Sequence, residues 1–109
     1  MDVTLLYFDG CPNWTVGRAR LLEALRRAHL EDSHLTLRRV TSPEEAKAVG
    51  FRGSPSVLID GRDPFGDEGP VGVFACRVYD TPSGPQGGPS VAQLVEALMA
   101  AAAGGATSS

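Results

Sequence analysis

At 109 residues with 42% hydrophobic side chains, the chain has the size and apolar content of one small globular domain. Ten basic against thirteen acidic side chains leave a net charge of −3, and no Lys/Arg run exceeds the pairs Arg26-Arg27 and Arg38-Arg39, which argues against nucleic acid as a partner. No apolar stretch is long enough to span a bilayer, and Met1-Asp2-Val3-Thr4 lacks the basic start and apolar core of a secretory signal, so a cytoplasmic protein without a membrane partner is expected.

Val3 to Phe8 is a near-continuous β-prone apolar run, the pattern of an interior strand. The helix-forming stretch from Pro12 to Leu30 follows. Trp14, Leu21, Leu25 and Ala28 fall on one face of it, flanked by Gly17 and Ala24. A glycine inside a helix costs roughly 1 kcal/mol relative to alanine, so Gly17 is expected to mark a close approach of the backbone to a neighbour. Leu35 to Val40 alternates apolar and polar side chains, as in a half-exposed strand. Ser42-Pro43-Glu44-Glu45 has the spacing of a capping box for a short helix that should stop at Gly50.

Val57 to Asp60 is the third expected strand, closing on Asp60-Gly61. A loop rich in Gly, Pro and Asp then leads to a fourth strand at Val71 to Tyr79, antiparallel to the third. Thr81 to Pro89 reads as a loop. Ser90 and Gln93 repeat the capping-box spacing and start a helix with Val91, Leu94, Val95 and Leu98 on one face. Residues 1–100 are thus expected to form one α/β domain in the order β-α-β-α-β-β-α, with a mixed four-stranded sheet, helices on both faces and a frayed tail over 101–109.

The chemistry centres on Cys11, placed where a strand gives way to a helix. Helical N–H groups and the macrodipole favour an anion there, so a thiol at that junction is expected to have a lowered pKa and to act as a nucleophile. The alternative is a small buried hydrophobe at a strand end. Trp14 reads as a core anchor on the packed face. His29 and His34 lie remote from Cys11 and are expected to face solvent, and Asp60, Asp63, Asp67 and Glu68 read as a solvated turn rather than a calcium site.

A strand, a Cys-Pro at a helix start and a Ser-Pro before the third strand resemble the thioredoxin fold in its glutaredoxin-like form, from Val3 to about Ala100. More narrowly, Tyr7 to Trp14, Gly50 to Pro55 and Cys76 to Tyr79 resemble a small bacterial group of thioredoxin-like (seleno)proteins that also carries an alkylmercury-lyase-like label. The resemblance implies a redox oxidoreductase with Cys11 as nucleophile. It further implies Pro55 as the cis-proline facing the thiol, with Pro12, Trp14, Ser54, Pro55 and Tyr79 around the substrate.

Thioredoxins carry a second cysteine where this chain has Trp14, so no vicinal dithiol can form. In the implied fold the fourth strand returns toward the edge that carries Cys11, which opens a pairing with Cys76. Burial of Cys76, on one face with Phe74 and Val78, is the alternative. The expected substrate is a small thiol, disulfide or peroxide, or a redox partner protein, with Cys76 or an external thiol resolving the adduct and no cofactor required. Two further readings stay open: Cys11 and Cys76 as ligands or reactive groups for a soft metal or organomercurial, and a non-catalytic interaction domain using the Pro55 edge.

Overall fold

The computed structural model describes residues 1–66 and 72–107 of the chain. In chain order these form β1 (Asp2–Tyr7), α1 (Trp14–Arg27), β2 (His34–Arg39), α2 (Pro43–Ala48), β3 (Arg52–Ser54), β4 (Ser56–Ile59), β5 (Val73–Cys76), β6 (Tyr79–Thr81), β7 (Gly84–Gln86) and α3 (Val91–Thr107). Asp67, Glu68 and Val71, on which the expected acidic loop and fourth strand drew, lie outside the described residues, as do 108 and 109.

The central sheet has the order β2-β1-β4, with β1 parallel to β2 and antiparallel to β4. Alternation along β1 sends Val3 and Leu5 to one face and Leu6 to the other. On the first face they meet Leu21, Ala24 and Leu25 of α1, Val57 and Ile59 of β4, and Leu94 and Leu98 of α3. Leu6 packs instead with Val40, Ala46 of α2 and Phe51. Helices therefore cover both faces, and burying two apolar layers on one short sheet supplies the main stabilising term. The outermost strand, β2, is more open than its alternation suggests, with every side chain except Leu35 exposed.

The helix ends follow their local chemistry. Ser42 Oγ accepts the Glu45 N–H at 3.1 Å, while the Glu45 carboxylate reaches back to Thr41 N at 2.8 Å. Gly50, at φ +68°, ends α2 with Phe51 N donating to Ala46 O at 2.8 Å. Ser90 and Gln93 form the reciprocal box, each backbone N–H donating to the other's side chain. α3 runs on through the segment expected to fray as far as Thr107, the last residue described.

The larger departure lies between residues 60 and 86. Asp60 and Gly61 both have positive φ and make a two-residue hairpin turn, with Ile59 N donating to Arg62 O at 2.7 Å. The chain then leaves the sheet instead of continuing as a partner of β4. The stretch expected as one fourth strand is divided: β5 pairs in parallel with β3, and β6 forms an antiparallel hairpin with β7 inside what reads as a loop in the sequence. Thr81 Oγ1, donating to Gly84 O at 2.7 Å, fastens that hairpin at its turn.

Candidate functional site

Cys11 and Cys76 form a disulfide, with their Cα atoms 5.6 Å apart and 65 positions between them. Two elements bring this about. After β1 the chain turns back at Phe8 to Cys11, with Cys11 N donating to Phe8 O at 3.2 Å. On the other side the parallel register of β3 and β5 sets Cys76 opposite Ser54. Cys11 Sγ lies 3.5 Å from Ser54 O. A sulfur in a disulfide has no hydrogen to give, so this is a contact when oxidised and a hydrogen-bond position for the thiol when reduced.

The two sulfurs have unequal surroundings. Cys11 is fully buried, with 0% of its surface exposed, whereas Cys76 is exposed. Of the two readings kept for Cys76 the structure shows the pairing with Cys11 and not the buried face, since Cys76 is open, as is Val78 at 70%; Cys11 is covered instead of part-exposed. The helix also starts later than the motif suggests. Asn13 occupies the cap position and α1 begins at Trp14, so Cys11 stands outside the first turn. In the oxidised form Cys11 is thus covered and outside the first helical turn, with Ser54 O as the polar atom beside its sulfur.

The Ser54–Pro55 peptide is cis, and both residues are buried. Their carbonyl groups are already used: Ser54 O accepts Arg77 N at 2.9 Å, and Pro55 O accepts the Tyr79 hydroxyl. Each of these oxygens thus holds an internal partner, in a segment expected to offer its backbone to a substrate or bound peptide. Tyr79 departs from its expected role for the same reason. It is 5% exposed, its hydroxyl is satisfied internally, and burial pushes its ionisation above the usual tyrosine range. Ser54 Oγ accepts the Phe8 N–H at 3.3 Å and so ties β3 to the end of β1.

Pro12 is exposed beside the disulfide loop. Trp14 is half-buried against the main core and stacks on Tyr7, with ring centroids 4.2 Å apart, in keeping with the anchor reading. Gly17 does mark a close approach. A Cβ there would stand 2.9 Å from Pro55 Cγ, so α1 can sit this near the cis-proline only without a side chain. His29 and His34 are exposed.

Arg77 is the residue sequence reasoning missed. Its guanidinium meets Asp63 Oδ2 at 2.7 Å, Phe65 O at 2.7 Å and Ser56 Oγ at 3.3 Å, and lies 4.5 Å from the Tyr79 ring centroid. The Arg77 and Asp63 side chains are only 11% and 8% exposed. Asp63, expected on a solvated turn, is thus an internal counter-ion. It also caps its own turn by accepting Phe65 N at 2.9 Å. The clamp fixes the segment that follows Cys76 against the start of β4 and the 63–65 turn.

Among the described residues no three His, Cys, Asp or Glu side chains gather as a metal site. No helix among them is long and apolar enough to cross a membrane. No protein-family model matches this chain, and neither a curated protein nor a solved structure does.

Proposed function

We propose that the protein is a thiol–disulfide oxidoreductase of thioredoxin-like build whose working couple is Cys11 and Cys76. The carrying observation is the disulfide between residues far apart in sequence, one sealed and one open to solvent. The β2-β1-β4 sheet, helices on both faces and a cis-proline beside Cys11 support the thioredoxin-like reading. A parallel β3–β5 pair and a separate hairpin stand where that plan has its fourth antiparallel strand.

In the forward reaction the reduced pair gives two electrons to a substrate disulfide. The substrate S–S bond breaks, the Cys11–Cys76 bond forms, and two substrate thiols leave with the two protons. An external thiol then restores the dithiol by exchange. Turnover of bis(2-hydroxyethyl) disulfide with dithiothreitol as reductant tests this. Catalysis by the native protein that is lost in both Cys11→Ser and Cys76→Ser is the expected result. A disulfide that stays inert to dithiothreitol until the protein is unfolded would make it a staple and overturn the proposal.

A further inference from the structure

The two cysteines are unequally buried, Cys11 fully covered and Cys76 an exposed residue, and this inequality bears on which sulfur meets the outside. We infer that Cys76 is the sulfur that exchanges with incoming thiols and carries the mixed disulfide, while Cys11 is the internal partner that leaves and returns. This deepens the oxidoreductase reading and rests on it.

Thiol–disulfide exchange requires the attacking thiolate to reach one sulfur, so access selects the site of attack. Cys11 presents no surface. Cys76 is exposed at the end of β5 and flanked by exposed Ala75 and Val78. The one cation next to it in sequence, Arg77, is turned inward onto Asp63 and Phe65 O. That guanidinium is therefore committed internally and is not offered to an incoming thiol.

The step balances as follows. A thiol R–SH loses its proton to water, and its thiolate attacks Cys76 Sγ to form a Cys76–S–S–R bond. The Cys11–Cys76 bond breaks, and its electron pair goes to Cys11 Sγ, which takes up a proton. The new thiol then has Ser54 O, 3.5 Å away, as acceptor. Loss of that proton lets Cys11 Sγ attack Cys76 Sγ, displace R–S⁻ and restore the disulfide. In the oxidised form the two Cα atoms stand 5.6 Å apart, and the residue after Cys76 is clamped to Asp63.

The oxidised full-length protein is exposed briefly to 2-mercaptoethanol, quenched in acid, digested, and the adduct located by mass spectrometry. The adduct is expected on Cys76, in excess over Cys11 by about tenfold or more, as access-controlled exchange requires. In parallel, reduced Cys11→Ser, which keeps Cys76, should react with 5,5′-dithiobis(2-nitrobenzoate) about tenfold or more faster than Cys76→Ser, which keeps Cys11. Equal labelling, or an adduct chiefly on Cys11, overturns the assignment and leaves the oxidoreductase reading standing. No adduct on either cysteine in the folded protein overturns both.

Discussion

Loss of the Arg77 clamp should be among the most destabilising single changes in this chain. Arg77→Ala deletes the ion pair at 2.7 Å, the bond to Phe65 O at 2.7 Å and the contact over Tyr79, and leaves Asp63, whose side chain is 8% exposed in the intact pair, with Phe65 N as its donor. An exposed pair would be worth at most about 1 kcal/mol. At this burial, removing one partner strands a charge, and the expected loss is about 3–5 kcal/mol. That is a large share of the 5–15 kcal/mol roughly available to such a domain. With a urea slope near 2 kcal/mol/M, the midpoint should fall by roughly 2 M.

The measurement is urea unfolding of the oxidised protein, followed by far-ultraviolet circular dichroism, for Arg77→Ala, Asp63→Ala and the pair Arg77→Met with Asp63→Leu. Each single change should be severe, and the double replacement should cost much less than their sum, because no charge is left stranded. Single changes below about 1 kcal/mol that add in the double would refute the view of Arg77 and Asp63 as one buried unit.

Reduction of the disulfide should lower stability by about 4 kcal/mol from loop-closure entropy over 65 positions, read as the shift in urea midpoint with and without a phosphine reductant; no shift would contradict it. Gly17→Ala adds a helix-favouring residue yet should destabilise by about 1–3 kcal/mol, because Pro55 Cγ stands 2.9 Å from the new Cβ; a gain in thermal midpoint would mean that α1 can shift. Tyr79 is neutral in the folded state with its ionisation raised by burial, so the unfolded chain binds fewer protons above about pH 10. Stability should therefore be unaffected by this group below pH 10 and fall as pH rises beyond it. Tyr79→Phe should remove that fall, and an unchanged alkaline slope would count against the assignment.

The first half of the molecule was legible because its signals are local. The run at β1, the apolar face around Leu21 and Leu25, the Ser42 cap and the Gly50 stop each depend on residues within a turn or two. Gly17 could be read as a close contact from its helix cost alone, though nothing local names Pro55 as the neighbour. The second half failed where long-range pairing decides. Val71 to Tyr79 has the composition of one strand, but the turn at Asp60-Gly61 and the pull of Arg77 toward Asp63 break it into pieces with different partners.

At the candidate site the sequence located both sulfurs and the Ser54-Pro55 segment yet misjudged their exposure. Burial of Cys11 depends on what covers it, and β3 with β5 arrives from more than forty residues away. The guanidinium clamp was invisible for a similar reason: Asp63 sits among turn residues, where an acidic side chain normally faces water. Its burial becomes evident only once Phe65, Tyr79 and Arg77 converge.

The rim formed by β2 bears on how copies of this molecule treat one another. Strand margins with free backbone groups invite another chain to dock along them, and this one carries Arg38 and Arg39 in the open, held at the surface by Glu45 at 3.6 Å and Asp9 at 3.1 Å. In a fully overlapped antiparallel copy Arg39 would face His34 and Arg38 would face Leu35, so docking there would have to cover two charged side chains that are now paired in the open. Two adjacent arginines thus give this margin the charged character that works against edge-to-edge pairing of copies.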